Sequence, residues 1–200
     1  MYSGRIQNPW ARAIALRASA GVDGTGVKIG VISDGLDGLN TAKSYGDIPA
    51  GLTVLSDENS GSEGIAMLEI VHDIAPGAQL YFHDSGTDML DFNDAIDALV
   101  AAGCTIICDD VSWPDASVFE DGVIAAHVAE LVAQNNVLFV SSAGNTGKGH
   151  YQGLFYDPDG DKRSDFSEGT DAASPDLYVR VPAGGTLIVS LQWDEKSGSS

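Results

Sequence analysis

SEGIAMLEIVHDIAPGAQLYFHD, residues 62–84, contains the clearest structural pattern in the chain. Its apolar residues recur at helical spacing up to Ile74, which predicts an amphipathic helix. The Pro-Gly pair at 76–77 cannot continue a helix and predicts a turn. The apolar run at 80–82 is rich in strand-forming residues and predicts a short buried strand.

The same alternation of strands and helices continues on both sides of this stretch. Further strands are predicted at VKIGVIS (27–33), LTVL (52–55), TIICDDVSW (105–113) and NVLFVSSAGN (136–145). Further helices are predicted at residues 8–19, 87–102 and 118–135. Strands that alternate with helices of this length predict an α/β fold, with a doubly wound, mostly parallel sheet covered by helices on both faces.

This alternation stops near residue 147, which predicts a change of domain. From residue 148 the chain is richer in Gly, Asp, Ser and Pro. Residues 176–194, DLYVRVPAGGTLIVSLQWD, alternate at period two across a Gly-Gly pair and predict an antiparallel hairpin. We therefore predict two parts: an α/β part at 1–147 and the beginning of an inserted β-rich module at 148–200.

Composition and charge exclude several classes of function. A net charge of −19 argues against nucleic acid and anionic membranes as partners. No apolar run approaches the roughly 20 residues of a membrane-spanning helix. The acidic composition suits a soluble, secreted or salt-adapted protein, and an extracellular or cell-surface location is expected. No signal peptide is visible because MYSGRIQNPW lacks an apolar core, so the alternatives are a protein that stays inside the cell and a piece of a longer precursor.

Three segments of the first part resemble one family, in the order of the chain. GTGVKIGVISDGLDG (24–38) is a strand ending in an acidic turn. In 62–84, a Glu-Gly pair opens a helix that leads into the turn Ala-Pro-Gly-Ala. NVLFVSSAGNTG (136–147) is a strand that runs into an Ala-Gly-Asn loop. Over about residues 20–147 the chain resembles the subtilisin-like serine peptidases, which implies a subtilisin-type fold and hydrolysis of peptide bonds by acyl transfer.

The resemblance implies two catalytic acids, and each has a structural alternative. A gapless match puts Ser33 at the catalytic Asp position, so Asp34 reaches the site only if the strand ends at Ser33. The alternative for Asp34 is a turn residue before glycine. Glu63 stands where the family has its catalytic His, as in the sedolisins, acid-acting relatives on the same fold; Met67 replaces the sedolisins' second acid. The alternative for Glu63 is an acid that simply suits a helix start.

A Glu in the His position would accept the serine proton as a carboxylate. Because an unperturbed Glu has a pKa of about 4.3, such a base predicts activity that peaks in mildly acidic solution.

The resemblance also implies an oxyanion donor and a substrate cleft. Asn145 falls at the position whose side-chain amide donates to the oxyanion. DDVSWPD (109–115) resembles the strand that lines the cleft, so Ser112, Trp113 and Gly144 are expected to bind peptide substrate. The alternatives are a turn Asn and a buried Trp at a sheet terminus.

The family's nucleophile segment, Gly-Thr-Ser at the start of a helix, does not occur in these residues. This predicts a serine endopeptidase whose nucleophile lies elsewhere, so residues 1–200 alone should be inactive. The alternative is a pseudopeptidase, a binding or scaffold module, which the Glu at the His position favours and the retained Asn145 opposes. An α/β ligand-binding domain of another kind rests only on the sheet pattern. The expected partner is a peptide or protein substrate, and no cofactor is required.

Calcium is a further possibility at DPDGDKRSDFSE, residues 157–168. Its acids stand at positions one, three, five, nine and twelve, as in an EF-hand loop, and the candidate ligands are Asp157, Asp159, Asp161 and Glu168. Lys162 stands where that loop requires Gly, and no helices are predicted to flank it. The alternative is a solvated acidic loop.

Overall fold

A computed structural model describes residues 9–145, 147, 149–166 and 176–194 of the chain, without the side chains of residues 9–11. The chain divides into two compact units. The first unit comprises residues 1–144 and 192–200, and the second comprises residues 145–191.

The first unit contains the helices and strands of the described ranges. In chain order they are α1 (Pro9–Ala20), β1 (Lys28–Ser33), α2 (Leu39–Tyr45), β2 (Thr53–Val54), α3 (Glu63–Ile74), β3 (Gln79–Asp84), α4 (Met89–Ala101), β4 (Ile106–Asp109), α5 (Val123–Asn135) and β5 (Leu138–Ser141). None of these helices is both long and apolar enough to cross a membrane.

The strands form one five-stranded sheet in the order β2-β3-β1-β4-β5, and every pair is parallel. The central strand β1 pairs with β3 on one side and β4 on the other, so that Gly30 lies between Tyr81 and Ile107. The predicted α/β class is confirmed, and the described sheet is wholly rather than mostly parallel.

Two apolar cores cover the two faces of the sheet. Val31 of β1 and Phe82 of β3 are fully buried in one core, together with Leu68 of α3. Ile32, the next residue of β1, is fully buried in the other core against Leu99 of α4. Successive strand residues point to opposite faces, so the middle of a strand that is buried on both faces is apolar, as residues 29–32 of β1 show.

One helix was not predicted, and two predicted boundaries are corrected. Residues 39–45 form α2, which was not predicted; it is a seven-residue helix flanked by Gly38 and Gly46, both with positive φ. β4 ends at Asp109 rather than running to residue 113, because the Asp109 carboxylate accepts a hydrogen bond from the Val111 N–H (3.1 Å) and turns the chain. α5 begins at Val123 rather than at residue 118.

The predicted burial of β5 is wrong. Leu138 is 58% exposed and Val140 is 48% exposed, although both belong to the apolar run that predicted a buried strand. β5 is the last strand on its side of the sheet as described, so it is paired on one edge only.

The predicted hairpin at 176–194 is also corrected. Its turn is present, because the Gly185 N–H donates to the Pro182 carbonyl (2.9 Å) and Gly184 has a φ of 77°. The described residues on either side of that turn form no strand. The inserted module at 148–200 stays a prediction.

Gly30 tests the close approach of α4 to the central strand. A Cβ atom on Gly30 would lie 2.9 Å from both Cδ atoms of Leu99, so Leu99, which is fully buried, would have to shift within a packed core. We expect Gly30→Ala to lower the free energy of unfolding by about 1–3 kcal/mol, measured by urea denaturation, because overpacking strains a closely packed core.

Gly51→Ala is the matched control, since a Cβ at Gly51 would meet no atom within 4 Å. It should change stability by less than about 0.5 kcal/mol. Adding Leu99→Val to Gly30→Ala should recover part of the loss, so the two effects should not add. Strict additivity would contradict the contact.

Candidate active site

Four carboxyl groups lie where the parallel strands end. Asp34 follows β1, Asp84 ends β3, and Asp109 ends β4 with Asp110 next to it. α2 packs on one face of the sheet and α5 on the other, so the connections after β1 and β4 leave in opposite directions. In open α/β sheets, ligands bind at the carboxyl ends of the strands where this reversal occurs.

Asp34 is held at the first turn of α3. β1 ends at Ser33, which is the condition under which Asp34 can reach the site. Its Oδ1 accepts hydrogen bonds from the Gly35 N–H (2.6 Å) and from the Gly64 N–H (3.2 Å). Gly64 is the second residue of α3, where main-chain N–H groups lack helical partners and the helix dipole attracts negative charge. The structure thus brings Asp34 to the helix that Glu63 opens.

Two glycines make this contact possible. A Cβ on Gly61, which has a φ of 144°, would collide with the Asp34 carboxylate. A Cβ on Gly64 would lie 2.6 Å from both the Gly35 carbonyl oxygen and Phe82 Cε2. The glycine of the Glu-Gly pair is therefore required by packing, because a side chain at residue 64 would collide with its neighbours.

Glu63 and Met67 differ in environment although they lie one helical turn apart. Glu63 is the first residue of α3 and is exposed to solvent. Met67 is half-buried and packs against the core formed with α3. The helix therefore offers one carboxylate at its start and an apolar contact one turn later.

Sequence reasoning missed Asp84, which is only 3% exposed. Burial alone would raise its pKa, but hydrogen bonds from the Ser56 hydroxyl (2.5 Å), the Glu58 N–H (2.8 Å) and the Gly86 N–H (3.0 Å) lower it overall. Asp84 is therefore a buried, stably ionised group. The sequence signal that could have identified Asp84 is its position at the end of a predicted strand, directly after His83.

Asp109, also missed, has the opposite environment. It is 5% exposed, and burial raises its pKa, to which the charge of Asp110 adds. Oδ1 accepts from the Ser141 hydroxyl (3.2 Å) and the Val111 N–H, but Oδ2 has no hydrogen-bond partner within the part of the chain that is described. Next to it, Asp110 accepts a hydrogen bond from the Ser33 hydroxyl (2.8 Å).

The predicted substrate residues lie in a loop and not on a strand edge. Because β4 ends at Asp109, Ser112 and Trp113 fall beyond the sheet, and that part of the prediction is wrong. Trp113 packs edge-on against Phe92, with ring centroids 6.0 Å apart. Ser112 lies close to Gly144, because a Cβ atom on Gly144 would be 3.8 Å from the Ser112 hydroxyl oxygen. A role of these residues in substrate binding stays a prediction.

The remaining predicted residues belong to the second unit. Asn145 is its first residue and is exposed. Asp157, Asp159 and Asp161 lie together in one loop of that unit. Glu168 falls outside the described residues.

No protein-family model matches the chain, and no curated protein matches it. A solved structure, the prenylagaramide maturation protease PagA, is similar at 21% sequence identity and a TM-score of 0.45. The match covers 68% of this chain and 51% of that protein, so the chain spans about half the length of the structure it resembles.

The lowered pKa of Asp84 predicts a pH dependence of stability. Its stabilising contribution is full above the ordinary Asp pKa of about 3.9 and is lost as pH falls through the lower folded-state value. Asp84→Asn should cost about 1–3 kcal/mol at pH 7, because the hydrogen bonds to a charged acceptor are lost. In urea denaturation between pH 3 and pH 7, this cost should shrink toward pH 3.

Asp109→Asn should show the opposite trend, which makes it the internal control. The pKa of Asp109 is higher in the folded state than in the unfolded state, so ionisation of this group is less favourable in the folded protein. The stability of the folded state therefore falls as the pH rises above the ordinary Asp pKa. The cost of Asp109→Asn should therefore be larger at pH 3 than at pH 7. Equal pH trends in the two variants would contradict the assignment.

Proposed function

We propose that this chain supplies part of the catalytic domain of a serine endopeptidase, which hydrolyses peptide bonds by acyl transfer. The observation that supports it is the hydrogen bond from the Gly64 N–H to the Asp34 carboxylate (3.2 Å). This bond brings the acid that follows β1 to the helix that begins with Glu63. The nucleophilic serine comes from a segment outside residues 1–200.

Glu63 serves as the general base in this proposal. Its exposed carboxylate accepts the proton of the serine hydroxyl as the serine oxygen attacks the substrate carbonyl. The same proton passes to the leaving amine when the peptide bond breaks, and a water molecule later completes hydrolysis of the acyl-enzyme. Asp34 is a positioning residue, because its bond to the Gly64 N–H fixes the first turn of α3.

Asn145 serves as the oxyanion donor. The attack of serine places negative charge on the former carbonyl oxygen, and a preorganised neutral amide stabilises that charge without a proton transfer. Asn145 follows Gly144 in the loop after β5, and the φ of 75° at Gly144 turns the chain there. Ser112, next to Gly144, then belongs to the segment that binds the peptide.

The exposed strand β5 supports a larger catalytic domain. Leu138 and Val140 present apolar side chains to solvent, and β5 has one unpaired edge in the described sheet. Further strands of the same domain would pair with this edge and cover those side chains.

Glu63→Gln tests the base. In the longer protein that includes the nucleophile, we expect it to abolish nearly all peptide hydrolysis, because an amide cannot accept the serine proton. Activity of the parent protein should peak in mildly acidic solution, since its base is a carboxylate. A pH–rate profile with casein or a labelled peptide measures both.

Glu69→Gln is the control, because Glu69 lies on the same helix and outside the proposed machinery. It should retain the parent activity, and circular dichroism should show both variants folded. A profile that rises through pH 7, or an active Glu63→Gln variant, would contradict a carboxylate base. If the longer protein binds peptides but does not cleave them, the alternative hypothesis of a pseudopeptidase is supported instead.

Asn145→Ala tests the oxyanion donor in the same longer protein. Loss of one such donor lowers kcat by about 100- to 1000-fold with little change in KM, because the bond forms only with the transition state. An unchanged kcat, or a KM effect alone, would return Asn145 to the status of a turn residue.

A further inference from the structure

The side chain of Gln192 pairs with the main chain of the loop that follows β4. The Val118 N–H donates to Gln192 Oε1 (2.8 Å), and Gln192 Nε2 donates to the Ala116 carbonyl (2.8 Å). Both bonds have the length of good protein hydrogen bonds. Gln192 begins the stretch in which the chain returns to the first unit, so the contact lies within that unit.

The two main-chain groups that Gln192 holds are the groups that a neighbouring strand uses. In a parallel ladder, one residue of the partner strand donates its N–H to the carbonyl of residue i−1 and accepts from the N–H of residue i+1. The Ala116 carbonyl and the Val118 N–H stand in those positions around Ser117. A side-chain amide offers one donor and one acceptor of the same kind, so Gln192 takes the place of one residue of an extended peptide.

The loop is fixed at its base and accessible at this edge. Trp113 packs edge-on against Phe92 of α4, and the Ala116 N–H donates to the Trp113 carbonyl (3.0 Å). Val118, two residues further along, is 69% exposed and lies at the surface. An incoming peptide therefore reaches the Val118 N–H by displacing Gln192, without any rearrangement of the core.

This edge differs from the one that the sequence predicts. The sequence predicts peptide pairing along residues 109–115, but β4 ends at Asp109, and Pro114 has no N–H to donate. Residues 116–118 supply both a donor and an acceptor. They follow the carboxyl end of β4, at the edge of the sheet where ligands of open α/β folds bind.

We propose that the main chain of residues 116–118 is a binding edge for an extended peptide, and that Gln192 occupies this edge in the free protein. A bound peptide replaces both hydrogen bonds of Gln192 with its own main-chain bonds. The contact is self-inhibitory, because the peptide and Gln192 compete for the same two groups. That the bound peptide is also the substrate rests on the proposed function.

The contact is weak enough to be displaced. Gln192 is half-buried, and its neighbours Leu191 and Trp193 are 80% and 60% exposed. A hydrogen bond of this kind contributes modestly, because water replaces it when it breaks. An edge that is blocked in most molecules binds with an apparent affinity reduced to the open fraction. We therefore expect removal of the Gln192 amide to tighten peptide binding about 3- to 30-fold.

Fluorescence anisotropy with residues 1–200 tests the competition. The probe is a Thr-Val-Thr-Val-Thr-Val peptide with an uncharged dye, at about 0.15 M KCl, because its β-branched residues favour an extended chain. Gln192→Ala should bind this peptide about 3- to 30-fold more tightly than the parent chain. Gln134→Ala is the matched control and should leave the affinity unchanged, because the Gln134 amide donates to Glu130 on the surface of α5. An equal or weaker affinity of Gln192→Ala would overturn the proposal.

Nuclear magnetic resonance of the parent chain covers the case in which a variant does not fold. Saturation with the same peptide should shift the Val118 amide signal and move the side-chain amide signals of Gln192 toward those of a free glutamine. The side-chain signals of Gln134 should not move. If the peptide binds and the Val118 and Gln192 signals stay in place, the binding edge lies elsewhere and Gln192 only fastens the loop.

The binding edge and the proposed hydrolysis can fail separately, because binding to residues 1–200 needs no nucleophile. If Gln192 competes with the peptide but the longer protein never cleaves peptides, the hydrolysis is wrong and the binding edge stands. If the longer protein cleaves peptides and Gln192→Ala does not lower KM, the binding edge is wrong and the hydrolysis stands.

Discussion

The hydrogen bond between the Gly64 N–H and the Asp34 carboxylate joins the central strand to the first turn of α3. The arrangement around it leaves no room for side chains at Gly61 or Gly64, because their Cβ atoms would meet Asp34 and Phe82. Phe82 is fully buried in the core beneath this turn. The start of the helix is thus fixed from three sides, by the end of β1, by the loop before α3 and by the core.

At the same edge of the sheet, the number of hydrogen-bond donors, and not the extent of burial, determines whether the pKa of a carboxyl group is lowered or raised. Asp84 and Asp109 end β3 and β4, the two strands that flank β1, and they are almost equally buried. Both oxygens of Asp84 accept hydrogen bonds, and its pKa falls; one oxygen of Asp109 lacks a partner among the described residues, and its pKa rises. The sheet edge therefore carries one carboxyl group with a lowered pKa on β3 and one with a raised pKa on β4.

Apolar periodicity correctly predicted the helices and strands that pack against the core. It failed for elements whose formation or burial depends on residues outside the element itself. The sheet class, α3 and α4 followed from apolar spacing, because each helix buries part of its apolar face: Ile65 and Leu68 in α3, and Phe92, Ile96 and Leu99 in α4. The seven residues of α2 are too few to show a period, and only the glycines on either side mark it. β5 is apolar but exposed, because burial depends on a neighbouring strand that its own sequence does not contain. The acids at the ends of β3 and β4 could have been found, since a parallel sheet gathers its strand ends at one edge.

The environment of Met67 limits which group can assist Glu63. An acid one turn after Glu63 would have to replace a side chain that packs against the core around Leu68. A carboxylate there would lose hydration without gaining a donor, at a cost that main-chain bonds at a helix start avoid. Asp34 avoids that cost because the Gly64 N–H lies within hydrogen-bond distance of it. If Glu63 acts as a base, the second acid of its site comes from the turn after the central strand and not from its own helix.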